Sequence, residues 1–203
     1  MELDHIAVSG ETLEEATEAV EAALGVAMGP GGQHDVFNTH NRLLGLEDGL
    51  YLEAIAADPA RPAPERPRWF DLDNFSGPAR LTNWICRCDD LDVLLAALPV
   101  DAGAPVSLTR GDLRWRMAVP ATGRLPFDNL FPPLIQWQCD VHPASLLPAS
   151  GCRLHRLVVS HPDASALRDL LALHLADARL AFEPGDPALS AEVDTPHGRR
   201  ILR

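Results

Sequence analysis

Leu3-Asp4-His5-Ile6-Ala7-Val8 is a short apolar run with one histidine in it. Side chains alternate across an extended strand, so Ile6 and Val8 share one face, and His5 shares the other with Ala7. Similar openings recur at Leu81–Cys86 and Leu154–Val159, each followed by residues at helical spacing. The chain reads as copies of one small β-then-α unit folded around a shared interior.

In the first unit, Thr12 and Glu15 have the spacing of a capping box. Leu13, Ala16, Val20, Ala23 and Leu24 then predict one amphipathic helix, stopped by Gly25. Met28–Gly32 is a turn and Gln33–Phe37 a short strand. Asp48-Gly49 joins strands Thr39–Leu46 and Leu50–Ala56 as a hairpin. Asp58–Arg68 holds four prolines and three arginines and reads as a stiff, exposed connector that ends in the apolar Trp69-Phe70-Asp71-Leu72. From Leu81 the order repeats. Asp89-Asp90 caps a helix through Leu98, and strands follow at Val106–Thr109, Leu113–Val119 and Leu134–Cys139. Between the last two strands, Pro120–Pro133 is an irregular loop of the length that often covers a site. The third copy has a helix from Asp163 through Leu175, then strands at Arg179–Glu183, Leu189–Asp194 and Arg199–Leu202. The expected organisation is one region, 1–203, with modules at about 1–58, 80–140 and 152–203 and a connector at 59–79.

Composition narrows the partners. With 29 acidic and 17 basic residues, the formal charge of −12 opposes attraction to nucleic acid and to anionic membranes. Every basic residue is arginine, so Schiff-base chemistry and a phosphate-loop lysine are absent from the inventory. Cys86, Cys88, Cys139 and Cys152 contain no Cys-x-x-Cys pair and read as reduced structural thiols. No window approaches the ~20 apolar residues of a membrane helix, and no signal segment opens the chain. The expectation is a soluble, cytoplasmic protein.

Several residues carry candidate chemistry. If His5 and Glu53 face one interior, imidazole and carboxylate offer nitrogen and oxygen ligation to a divalent ion; the competing reading is a hydrogen-bonded core histidine and a glutamate paired with arginine. Of His40 and Asn41, alternation lets only one point inward, as a third ligand, a general base or a substrate contact, and the pattern leaves open which. Arg114 and Arg116 share a strand face. They would bind a carboxylate or phosphate if that face were interior, but Leu113, Trp115 and Met117 have the stronger claim to the buried side. Trp84, Trp115 and Trp137 read as packing, and His142, His161 and His197 as turn caps.

The chain resembles the glyoxalase-like domain proteins of the vicinal oxygen chelate superfamily, built from βαβββ modules. The likeness rests on the order of Leu3-Asp4-His5-Ile6, Gly25, Thr39-His40-Asn41, Tyr51-Leu52-Glu53, Leu113–Arg116, Pro133–Trp137, His142-Pro143 and Ser160–Asp163. It implies an α+β fold in which two modules form a curved mixed sheet around a pocket and the third copy completes or covers it. In metal-dependent members the first and fourth strands of each paired module give one ligand. Carried over by position, these are His5, Glu53, Asn83 and Gln136, for Zn²⁺, Mn²⁺, Fe²⁺ or Ni²⁺. Lyase, isomerase or dioxygenase chemistry on a small oxygen-rich molecule is the implied activity. A metal-free small-molecule binder and a non-catalytic dimeric scaffold are the alternatives.

Overall fold

A computed structural model describes all 203 residues. The first unit is β1 (Glu2–Ser9), α1 (Leu13–Leu24), β2 (Gln33–His34), β3 (Thr39–Leu46) and β4 (Leu50–Ala57). The second is β5 (Arg80–Arg87), α2 (Leu91–Ala97), β6 (Ala104–Arg110), β7 (Leu113–Val119) and β8 (Leu134–Trp137). A four-residue helix α3 (Pro143–Leu146) leads to β9 (Arg153–Ser160), α4 (Ala164–Leu171), β10 (Leu180–Glu183), β11 (Ala188–Thr195) and β12 (Gly198–Leu202).

Helix α1 forms where the sequence places it. The Thr12 hydroxyl accepts from the Glu15 amide at 3.1 Å, the Glu15 carboxylate accepts from the Thr12 amide, and Gly25 ends the helix in the left-handed region. Its buried stripe of Ala16, Val20 and Leu24 lies on the sheet. Helix α4 ends at Leu171, four residues short of the expected Leu175.

The first two units make one eight-stranded mixed sheet in the order β2-β3-β4-β1-β5-β8-β7-β6. β1 pairs with β4 in parallel and with β5 antiparallel, so the two units join back to back through their first strands. The sheet curls until its edges meet. Arg110 on β6 places Nη1 3.4 Å from His34 Nε2 on β2, across an almost closed seam. The convex face, with Ile6, Val8, Leu52 and Trp84, packs against α1 and the C-terminal sheet. The concave face holds a second core of Ala7, Ile55, Ile85, Trp115 and Ile135.

The third stretch has the same element order but a different strand order, β10-β9-β11-β12. Its first strand lies between the second and third instead of beside the fourth. Element order follows from local periodicity, whereas pairing order depends on which edge each strand finds. This sheet packs on the convex side, where Phe182 meets Trp84 edge-on at 6.0 Å, so it extends the outer core and leaves the concave side to other segments.

The concave side is covered by the end of the proline-rich connector. Trp69–Asn74 forms a short 3-10 segment that buries Trp69, Phe70 and Leu72 inside the curl. Phe70 and Asp71 both have positive φ, as do Phe127, Asp128 and Asn129 in the loop before β8. The two bends brace each other: Asn129 Nδ2 donates to the Phe70 carbonyl at 3.1 Å, and the Asp71 amide donates to the Gly123 carbonyl at 3.0 Å. Non-glycine residues persist in this region only where neighbours hold them there. No helix is long and apolar enough to cross a membrane.

Candidate functional site

Three strands bring polar side chains into the concave core. On β1, His5 faces inward with Ala7. On β4, Glu53 lies beside Ala7 and Tyr51 beside His5. On β3, Asn41 is in register with Ile55, which also faces inward. All four polar residues are buried.

His5 is held from three sides. β1 and β5 slip register between Leu3 and His5, a bulge at Asp4 that brings two adjacent residues into one site. Asp4 Oδ1 lies 2.6 Å from His5 Nδ1. The other Asp4 oxygen accepts from Trp137 Nε1 at 3.0 Å and lies 2.9 Å from His142 Nε2. Tyr51 stacks on the imidazole at 4.3 Å between centroids. With Nδ1 fixed by Asp4, Nε2 is aimed at Glu53, whose Oε2 is 3.7 Å away. That distance exceeds a hydrogen bond, and both groups border a small cavity.

Glu53 is oriented in turn. Asn41 Nδ2 donates to its Oε1 at 2.5 Å, while Asn41 Oδ1 accepts from the Gly32 amide at 2.7 Å and from Arg110 at 3.2 Å. Those two donors leave the amide one consistent orientation, NH₂ toward the carboxylate. Next to it, His34 bonds Thr39 through Nδ1 at 3.0 Å.

Burial disfavours every charge here, and the partners decide which survive. His5 would be pushed down by burial, but its hydrogen bond to Asp4 and the nearby negative charges of Asp4 and Glu53 raise its pKa above the ordinary value. Burial would raise Glu53, yet the proximity of His5 and His34 and the hydrogen bond from Asn41 bring it below the usual carboxylate range. Asp4 is also held well below it, against burial, by His142 and His5. His34 goes the other way: burial, with the Arg110 charge adding to it, lowers it to about 4. The array sets His5, whose charged form its partners favour, between two carboxylates, beside a His34 that is neutral at neutral pH and the Arg110 guanidinium.

His5, His34, Asn41, Glu53 and Arg110 border a cavity of about 30 Å³ whose other walls are mainly aromatic and apolar, with Trp69, Phe70, Trp115 and Trp137 among them. That is room for about two water molecules. It matches a small reacting group better than a whole substrate.

The sequence candidates divide cleanly. His5, Glu53 and Asn41 come together. His40 does not: it is in register with Ala56 on the opposite face from Asn41. Gln136 also points to the convex side, where Nε2 donates to the Asp89 carbonyl at 2.6 Å and Oε1 accepts from Arg116. β8 alternates, and its inward positions carry Ile135 and Trp137. Arg116 is engaged outside by Asp92 of α2 at 2.7 Å, and Arg114 is exposed. Neither reaches the cavity. Asp4, His34, Arg110, Trp137 and His142 belong to the site although sequence patterning gave no reason to select them. A strand bulge at Asp4 and the closure of the β2–β6 seam assembled them.

The donors do not fit a divalent metal centre. A catalytic site of this kind takes about three protein ligands, and no group of three His, Cys, Asp or Glu side chains is placed to supply them. Asn41 Oδ1 is already used, Gln136 faces away, and a guanidinium adjoins His34 Nε2. Asn83 is buried on β5 with neither amide atom bonded, but it does not border the cavity.

The comparisons with known proteins agree with this architecture. A sequence profile described as "Glyoxalase-like domain" matches residues 3–175. A hypothetical protein from Staphylococcus aureus has a similar structure, with a TM-score of 0.60 at 14% identity over 98% of this chain and 83% of its own. Methylmalonyl-CoA epimerase from Mycobacterium tuberculosis superposes more loosely, with a TM-score of 0.43 at 16% identity over 66% of this chain and 85% of its own. Among curated proteins none matches the sequence. With a family profile covering most of the chain, which folds as two βαβββ units joined through their first strands, the chain belongs to the glyoxalase-like domain family.

Proposed function

We propose that the buried array is a proton-transfer site, and that the protein is an enzyme of isomerase or lyase type acting on a small molecule with a carbonyl beside an acidic C–H bond. The observation that carries this reading is the Asp4–His5–Glu53 arrangement. One carboxylate fixes the imidazole while a second carboxylate lies 3.7 Å from its other nitrogen, and His5 and Glu53 both border the cavity.

The roles follow from the charges. Glu53, ionised and oriented by Asn41, takes the proton from carbon. The electron pair moves onto the carbonyl oxygen, and His5 Nε2–H meets the developing negative charge there, with the Arg110 cation close by. Return of the proton from Glu53 to the former carbonyl carbon, while His5 Nε2 gives its proton to the former carbonyl oxygen and takes one back from the neighbouring hydroxyl, completes an isomerisation. Expulsion of a β-leaving group completes an elimination. Asp4 keeps its charge throughout and prevents His5 from turning. No metal is needed for these steps, and the donor set gives none a place.

A metal-free binder of small apolar or aromatic compounds is the second reading, favoured by the aromatic walls of the cavity. Proton exchange separates the two. The protein is incubated in D₂O with a panel of α-hydroxy ketones and aldehydes, and loss of the α-proton signal is followed by NMR. Exchange that drops by about 10²-fold or more in Glu53→Gln, with unchanged circular dichroism, supports the enzyme. Absence of exchange across the panel, or exchange indifferent to Glu53→Gln, overturns it.

A further inference from the structure

A second, larger cleft lies on the other side of one side chain. Its volume is about 590 Å³, within the range of small-molecule sites. It is framed by the 70–75 segment, the start of β5, residues 128–130 and the start of β11 in the C-terminal sheet. Phe70 borders both this cleft and the 30 Å³ cavity that holds His5 and Glu53. The small cavity accommodates only a reacting group, and the cleft next to it accommodates the rest of a molecule.

The cleft is electrostatically biased. Arg80 is fixed by neutral groups: Nη1 donates to the Ser76 carbonyl at 3.0 Å and the Pro78 carbonyl at 3.1 Å, and the guanidinium lies 4.4 Å from the Phe75 ring centroid. No ion pair joins it to a carboxylate, so its remaining donors are oriented without being neutralised. Arg203 borders the same space, also without an ion pair. The two acidic residues in the wall pair away from Arg80 and share one cation, Arg124. Asp71 lies 3.7 Å and Asp128 2.9 Å from Arg124, and Asp128 also lies 3.2 Å from His161. A planar guanidinium held in place, as that of Arg80 is, matches a carboxylate or phosphate with little further loss of side-chain freedom.

We propose that this cleft binds the anionic tail of the substrate, a carboxylate or phosphate carried on a short apolar chain, and that Phe70 is the partition past which the reactive end reaches His5 and Glu53. The inference rests on the proton-transfer reading for what happens beyond Phe70, whereas tail binding is measurable without any reaction.

The probes are hexanoate and hexyl phosphate, with 1-hexanol as the neutral counterpart, titrated into the full chain while the Thr82 and Ser190 amides and the His5 ring are followed by NMR. The expected result is that at least one anion shifts Thr82 and Ser190, that Arg80→Gln weakens it about tenfold or more, as the loss of a charge-assisted hydrogen bond implies, and that hexanol binds far more weakly. The tighter anion identifies the tail. No binding, equal binding of hexanol, or indifference to both Arg80→Gln and Arg203→Gln overturns the subsite. In Phe70→Ala, or the milder Phe70→Leu, the bound probe is expected to shift the His5 ring signals. If neither folded variant transmits the shift, the cleft is separate from the cavity and the partition is overturned. Glu53→Gln is expected to leave probe affinity unchanged, so failure of the proton-transfer reading shows in the exchange assay alone.

Discussion

Asp4 and His5 are consecutive residues that a regular strand would turn to opposite faces, yet their side chains meet at 2.6 Å. Asp4 is fully buried and interacts with Trp137 and His142 as well. Replacing it by alanine leaves those polar groups and the protonated imidazole without their acceptor. Removing one partner of a buried ion pair costs about 3–5 kcal/mol, so Asp4→Ala is expected to lower the urea midpoint sharply. Asp4→Asn, close to isosteric, tests function: the His5 pKa read by NMR falls toward its ordinary value or below it, and α-proton exchange falls with it. An unchanged His5 titration in folded Asp4→Asn removes the positioning role.

Arg110 joins the two edges of the curled sheet and depresses His34 through its charge. Burial is the larger cause of the low His34 value and the Arg110 charge adds to it, so Arg110→Gln raises the His34 pKa part of the way up from about 4. It also slows α-proton exchange by about 10²-fold, the loss expected for one oxyanion donor. NMR titration of His34 in the variant checks the first outcome independently of any substrate.

The pH dependence of stability follows from the signs of these shifts. His34 is lowered to about 4 in the fold, so between pH 6.5 and about 4 the unfolded chain takes up a proton that the folded chain refuses. Stability therefore falls as the pH falls through that window, by about 3 kcal/mol for this group. His34→Gln is expected to flatten that part of the urea-midpoint profile. Asp4 and Glu53 are depressed, so their contributions are present above the ordinary carboxylate range and are lost at lower pH still. His5 is raised: its contribution is complete below its ordinary value and is lost as the pH rises through the folded one. The profile should fall on both sides, with His34→Gln altering only the acid shoulder.

Protein purified without a histidine tag is expected to contain far less than one divalent ion per chain by elemental analysis. Exchange activity should survive dialysis against EDTA. Near-stoichiometric metal that disappears in Glu53→Ala would falsify the metal-free reading and restore a ligand role to His5 and Glu53.

Much of the fold was legible along the chain because it is set by neighbours in sequence. The Thr12–Glu15 box, Gly25 and the Asp48-Gly49 hairpin each involve a few consecutive residues, and each forms at the expected place. Alternation put His5 opposite Ile6 and Val8. For His40 and Asn41 it offered two answers, and only pairing with β4 selected Asn41.

By itself, the sequence determined the α+β element order and offered His5 and Glu53 as candidate inward polar groups, since periodicity and turn chemistry act over a few residues; two modules in one curved sheet came from the family resemblance. The tertiary structure decided the rest. The bulge that brings Asp4 to His5 is a slip of register against β5, and Arg110 reaches His34 and Asn41 only because the sheet closes on itself. The inward positions of β8 went to Ile135 and Trp137, which turned Gln136 to the helix side. The third stretch repeats the element order but exchanges its strand neighbours. Each of these is a contact between residues distant in the chain, and local pattern carries no information about which distant partner will be met.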